Sequence, residues 1–285
     1  MTGRSTVENK FVPIDGLEIR YIEEGVGQPV ILLHGASLGS SADVFRRNMT
    51  ALANEGFHAI AFDSPGFGLS GVPEDSSPRY RTAAILKFMD AMHIHKASLV
   101  GHSQSGGPAV QIALKYPERV RNLIVLGTGS LLPPADDSMK EPGAARTQPA
   151  EPKAADLKEP TFEDTKNQLV WNLFHTDLAT DEELQARHAL STGKNFEAFV
   201  ARTAYGEQNR AKNPEVPLWQ RLIEVRAPMR MMFGRQDRSW AFKRAMKLKE
   251  VYPQIDLVIL EDCKHMVPWD AADEWIRLAL PVLRA

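Results

Sequence analysis

Cysteine is almost absent from this chain. Cys263 is the only one in 285 residues, so no disulfide can form within the chain, and a reducing compartment is expected. Long apolar runs are missing as well: none approaches the roughly 20 residues that span a bilayer. Excess charge of either sign is missing too, with 34 Lys and Arg against 36 Asp and Glu and a formal net charge of −2. An isoelectric point near 6.5 gives no electrostatic attraction to nucleic acid or to an anionic membrane. Met1 to Lys10 is polar and lacks the apolar stretch of a secretory signal. Internal repeats are absent. His58, His93, His95, His175 and His188 show no metal-ligand spacing, so neither metal nor cofactor is expected. These exclusions leave a cytoplasmic globular protein acting on a small molecule, with no nucleic-acid or membrane partner.

The most informative stretch is Gly101-His102-Ser103-Gln104-Ser105-Gly106-Gly107, directly after the apolar run Ala97 to Val100. A buried strand, a small-residue turn with a serine at its tip and a helix-like segment from Ala109 to Tyr116 make a nucleophile elbow. The serine backbone is strained, and small neighbours let strand and helix approach closely. The usual pattern is G-x-S-x-G; Ser105 stands at its last position, small enough to fit.

A serine nucleophile needs a base, and the base needs an acid to orient it. The apolar run Met229 to Phe233 leads into Gly234-Arg235-Gln236-Asp237-Arg238, which sets Asp237 just past a strand end. Leu257 to Leu260 leads into Glu261-Asp262-Cys263-Lys264-His265, ahead of the amphipathic segment Ala271 to Leu283. The chain order Ser103, Asp237, His265 is the order such sites take on α/β sheets. The strand Arg121 to Leu126 runs into Gly127-Thr128-Gly129 and offers no rival acid. Two backbone amides must hold the developing oxyanion. By position they belong to Ala36, in the loop His34 to Gly39 after the strand Pro29 to Leu33, and to Gln104. His34 is expected to steady that loop, and Asp63 to Ser70 to pack beside the elbow without doing chemistry.

H-G, D-x-P-G-F-G-x-S, G-x-S-x-S-G-G, G-R-x-D and a late C-x-H together resemble the α/β-hydrolase fold family, from about residue 10 to the end. The fold expected is α/β, a mostly parallel twisted sheet flanked by helices with a helical cap inserted. Pro160 to Ser191 and Asp262 to Asp270 are similar to the carbon–carbon bond hydrolases that cleave vinylogous diketones made by catechol ring fission (meta-cleavage products). That resemblance implies that Arg187 grips the substrate carboxylate and that a homodimer forms. His102, Gln104 and Met266 stand where that branch usually has Asn, Met and Trp. These replacements favour the competing reading, a carboxylic-ester or lactone hydrolase. A ligand receptor or a cofactor-independent oxygenase on the same scaffold are further alternatives. His102, Met266, Arg187 and Trp171 are the candidate substrate contacts.

Residues 1–132 and 218–285 are read as the two parts of the core, and 133–217 as a Pro/Ala-rich loop followed by the cap. Lys10 to Glu24 reads as two strands about Asp15-Gly16. Phe162 to Phe174 and Asp181 to Leu190 read as helices, the second capped by Thr180. The stretch from Pro133 to Pro160 has little apolar surface to bury and reads as a surface loop.

Overall fold

The computed structural model describes residues 7–136, 139, 153–209, 216–238 and 240–285. Residues 137–138 and 140–152, about half of the expected surface loop 133–160, lie outside the described residues.

Eight strands form one sheet: β1 Lys10–Ile14, β2 Leu17–Glu24, β3 Gln28–Leu33, β4 Phe57–Phe62, β5 Ala97–His102, β6 Val120–Leu126, β7 Met229–Gly234 and β8 Leu257–Leu260. Their order is β1-β2-β4-β3-β5-β6-β7-β8. β2 pairs antiparallel with β1 and β4, and every other pairing is parallel. The strands from β3 onward are nearly continuous apolar runs because helices cover both faces.

Alternate side chains of each strand go to opposite faces. Val30, Leu32, Val100, Ile124, Leu126 and Met232 pack under α1 (Arg46–Asn54) and the C-terminal helix Ala272–Leu283. Ile31, Leu33, Leu99, Leu123, Val125, Met231 and Phe233 pack under α2 (Pro78–Ala91), α3 (Gly106–Lys115) and the helix Ala241–Val251. Strand order reverses about β3, which lies between β4 and β5. Such a switch point opens a crevice at the carboxyl ends of the strands. The loop after β3 and the elbow after β5 meet there, with Leu33 in register with Gly101.

Between β6 and β7 the chain adds α4 (Phe162–Trp171), α5 (Asp181–Ala189) and α6 (Lys194–Asn209). Thr161 and Asp164 close a capping box at the start of α4, and the Thr180 hydroxyl accepts from the Glu183 amide at the start of α5. The sequence reading did not anticipate α6. Its stripe is weak, with only Asn195 and Ala198 buried, and polar side chains secure it. Lys194 donates to the Ser70 carbonyl at 2.8 Å, Asn195 to Gly68 at 3.0 Å and Arg202 to Gly66 at 2.9 Å.

The 63–70 loop that receives these contacts is tied down by a buried charge. Arg20 is 1% exposed and reaches Asp63 at 3.1 Å and Asp43 at 2.7 Å. Asp63 also accepts from the Ala42 amide at 2.6 Å and the Leu69 amide at 2.8 Å. Removing Asp63 leaves the buried Arg20 with one carboxylate in place of two and the Ala42 and Leu69 amides without an acceptor. Asp63→Ala should therefore lose about 3–5 kcal/mol of stability in urea unfolding; a loss below about 1 kcal/mol would show that the pair carries no such load.

Candidate active site

Ser103 has φ +56°, a left-handed conformation that costs a non-glycine residue energy and persists only where its surroundings enforce it. Bare backbone makes room for it. A Cβ on Gly101 would sit 2.6 Å from the Gly106 Cα, and one on Gly35 would sit 2.9 Å from the Ser103 Cβ. Gly106 is pressed equally hard, its missing Cβ falling 2.2 Å from the Thr128 Oγ1. Strand β5, helix α3 and the loop after β3 thus meet with no side chain between them.

The Ser103 Oγ lies 2.9 Å from His265 Nε2, and His265 Nδ1 lies 3.2 Å from Asp237 Oδ2. The Arg238 amide donates to Asp237 Oδ1 at 2.7 Å, fixing the carboxylate's second oxygen. A Cβ on Gly234, at the end of β7, would stand 2.2 Å from the Cys263 carbonyl, so the loops bearing Asp237 and His265 lie against each other. Three side chains from the ends of β5, β7 and β8 form one hydrogen-bonded line. Cys263 is no rival nucleophile: burial and the nearby Asp270 and Asp237 push its thiol pKa up.

Ala36 follows Gly35 in the loop beside Ser103. Gln104 lies in a single 3-10 turn, Ser103–Ser105, whose first amides have no partner within the turn. The loop is held from several sides. The Ser105 hydroxyl donates to the His34 carbonyl. His34 Nδ1–H donates to the Gly35 carbonyl at 2.6 Å while its Nε2 accepts from the Ser64 amide at 3.0 Å. Arg187 Nη2 donates to the Ser37 hydroxyl and the Leu38 carbonyl, both at 3.1 Å. The serine in the glycine's place at the end of the elbow pattern therefore has a use. Ser105→Ala leaves the His34 carbonyl without that donor, and turnover should fall about tenfold with substrate affinity unchanged. Unaltered turnover would show that the hydroxyl does not steady the loop.

A cavity of about 240 Å³ opens against Ser103, Gln104, Asp237, Arg238, Arg244 and His265. A second, of about 390 Å³, lies on the other side of Asp237, Arg238 and His265 and is walled by Trp171, Asn172 and Trp240. Trp171 is 58% exposed and is the one candidate substrate contact that lines either cavity. The other three lie elsewhere. His102 is 3% exposed and faces away from the cavities, its Nε2–H donating to the His265 carbonyl at 2.9 Å. Met266 belongs to the core cluster with Trp269 and Trp275. Arg187 borders a separate cleft with Gly39, Asp43 and Trp269.

Arg238 and Arg244 were not singled out from the sequence. Arg238 donates to Asn172 Oδ1 at 2.6 Å. Arg244 donates to the carbonyls of Gly129 and Pro133, both at 2.7 Å. Among the described residues neither guanidinium forms a salt bridge, and burial lowers both pKa values against a partial offset from Asp237. The signal was present for Arg238, which adjoins Asp237 in the quoted motif. For Arg244, one charge on an amphipathic helix, the sequence offers none.

Burial holds His34 down to about 4 and His102 down to about 3, so both are neutral near pH 7. Unfolded, each would bind a proton near 6.5. Their contribution to stability is complete above pH 6.5 and is lost as the pH falls toward 4 and then 3. Unfolding free energy should drop by about 1.4 kcal/mol per pH unit for each imidazole in that window. His102→Asn should roughly halve the slope between pH 6 and 4; an unchanged slope would contradict the assignment.

Residues 28–272 match the family described as alpha/beta hydrolase fold, and the chain belongs to that family. It is 32% identical over 288 residues to the 2-hydroxy-6-oxononadienedioate/2-hydroxy-6-oxononatrienedioate hydrolase of Burkholderia vietnamiensis, an alignment covering 97% of this chain and 96% of that one. It is 30% identical over 279 residues to the 2-hydroxy-6-oxo-6-phenylhexa-2,4-dienoate hydrolase of Comamonas testosteroni, covering 93% and 91%. Among solved structures, a variant of the meta-cleavage product hydrolase of Pseudomonas fluorescens superposes with a TM-score of 0.74 at 25% identity, covering 98% of both chains.

Proposed function

We propose that this chain is a serine hydrolase that cleaves a carbon–carbon bond in a meta-cleavage product of aromatic catabolism. Ser103 is the nucleophile, His265 its base and Asp237 the residue that orients the base. The observation that carries this reading is the Ser103 Oγ held 2.9 Å from His265 Nε2 on a strained elbow. The named activities of the full-length relatives support the substrate class.

In this reading the substrate's dienol first becomes its keto tautomer, which places a scissile bond between a carbonyl carbon and a carbon able to leave as a stabilised carbanion. His265 takes the Ser103 proton as Oγ attacks the carbonyl, and the Ala36 and Gln104 amides receive the oxyanion. Each such donor contributes about 3–4 kcal/mol to lowering the barrier. The carbon–carbon bond then breaks, and the carbanion takes its proton from the His265 imidazolium. Water, deprotonated by His265, releases the acyl group and restores Ser103.

An anionic substrate accounts for Arg238 and Arg244 at a cavity wall with no salt-bridge partner among the described residues. Arg187, bonded to Ser37 and Leu38, serves the reaction by holding the Ala36 loop. The segment 133–217 acts as the cap, with Trp171 and Asn172 presented to the cavity. Of the three replacements that favoured an ester hydrolase, His102 and Met266 do not line these cavities, which weakens that reading. A homodimer belongs to this proposal on the resemblance alone, and a cytoplasmic location on the single cysteine and the composition.

Ser103→Ala should lower kcat by at least about 10³-fold with an unchanged melting temperature. Wild-type protein should consume a 2-hydroxy-6-oxo-dienoate far faster than a p-nitrophenyl ester. Full activity in the variant would remove the serine mechanism, and a strong preference for the ester would remove the carbon–carbon assignment.

A further inference from the structure

The backbone around His265 is held at three consecutive residues. The Lys264 amide donates to Asp270 Oδ2 at 2.9 Å, the His265 carbonyl accepts from His102 Nε2 at 2.9 Å, and the Met266 amide donates to the Asn172 carbonyl at 3.1 Å. Only the His102 bond comes from the sheet. The other two lead to one stretch of the inserted segment, residues 172–175, where the chain leaves α4. Asp270 reaches that stretch through its carboxylate. Its Oδ1 accepts from the amides of Phe174 and His175 at 3.1 and 3.0 Å, and its Oδ2 accepts from Phe174 at 3.0 Å.

An acid at position 270 has an ordinary alternative use. It stands just ahead of the helix Ala272–Leu283, where a carboxylate is favourable beside the free amides of a helix start. Its oxygens instead join two other segments, the loop of the base and the insertion. Asn172 makes the second link. It closes the last turn of α4, its amide bonded to the Leu169 carbonyl at 3.0 Å and its Nδ2 to the Gln168 carbonyl at 2.7 Å. Its own carbonyl holds Met266, and its Oδ1 accepts from Arg238 Nη1 at 2.6 Å. Met266 follows His265, and Arg238 follows Asp237, whose Oδ1 takes the Arg238 amide. One buried residue of the insertion therefore touches both the loop of the acid and the loop of the base. A buried amide with both of its groups paired specifies a single arrangement of its neighbours.

We propose that Asp270 and Asn172 are positioning residues for the triad. They seat residues 172–175 on the loops bearing Asp237 and His265, so that acid and base keep their register only while the inserted segment is docked on the core. This rests on the triad reading above, and not on which bond the triad cleaves. The insertion then does more than cover the substrate, since its seating and the alignment of His265 are one event. Displacing it leaves the Lys264 and Met266 amides without these acceptors, and of the three fastenings only that of His102 remains. A misplacement of about 1 Å at a reacting group costs about 10²-fold in rate.

The test compares the full chain as wild type, Asp270→Asn, Asn172→Leu and the double variant. Two rates are measured per folded chain: labelling of Ser103 by an aryl phosphonate, and turnover of p-nitrophenyl acetate. Asp270→Asn keeps the shape of the side chain and lines neither cavity, so substrate contact does not account for a change in rate. Each single variant should label about 10- to 100-fold more slowly. In Asp270→Asn, kcat for the ester should fall by a similar factor with KM within about twofold of wild type. Because both residues seat the same stretch, the double variant should lose less than the product of the single losses, by about threefold or more. A lowered melting temperature with labelling and kcat unchanged in Asp270→Asn would leave that residue a structural role only and overturn the proposal, as would single losses that simply multiply. Wild-type protein that does not label at Ser103 would remove the triad reading and this proposal with it. Equal labelling of wild type and variants would remove this proposal alone.

Discussion

Helix α3 begins against the end of β5 with no room for a side chain between them, and the geometry at the site descends from that contact. A Cβ on Gly101 would stand 2.6 Å from the Gly106 Cα, and a Cβ on Gly106 would stand 2.2 Å from the Thr128 hydroxyl. The chain can turn from strand to helix in so short a space only by placing Ser103 at φ +56°. Its hydroxyl is thereby raised off the sheet to where His265 reaches it at 2.9 Å. The strain at one residue is borne by the packing of a strand and a helix in which Leu99, Val100, Ala109, Val110 and Ile112 are buried.

Around that point the protein relies on polar fastenings more than on apolar contact. The loop bearing Ala36 is gripped by Ser105 from the elbow, by His34 and Ser64 from the neighbouring loop, and by Arg187 from the insertion. The neighbouring loop rests on Asp63, which Arg20 neutralises in the interior. Two neutral imidazoles, His34 and His102, sit beneath the site and hold backbone carbonyls and amides in place.

Much of this was legible in the sequence, for identifiable reasons. Strands β3, β5, β6, β7 and β8 are apolar runs closed by Gly, Asp or polar turns. The residues just past their ends, Ser103, Asp237 and His265, converge because parallel strands share one carboxyl edge. Thr180 announced the start of α5. What sequence could not supply was direction. His102 and Met266 adjoin Ser103 and His265 in the chain, yet both are buried, His102 as the last residue of β5 and Met266 packed with Trp269 and Trp275. Arg187 lies on the expected helix, but only three-dimensional structure shows it bonded to Ser37 and Leu38. Helix α6 escaped notice because polar anchors hold it where an apolar stripe would have advertised it. The cavity wall of Arg238 and Arg244 needed two distant segments to be brought together.

The central claim is that Ser103, strained at the elbow and bonded to His265, is the group that attacks a carbonyl. Its most direct test is mass spectrometry of the protein after treatment with an aryl phosphonate that forms a stable adduct with an activated serine. The account predicts one adduct per chain on the peptide containing Ser103, and its disappearance when His265 is replaced by Ala. Labelling at another residue, or an equal labelling rate without the His265 imidazole, would contradict it.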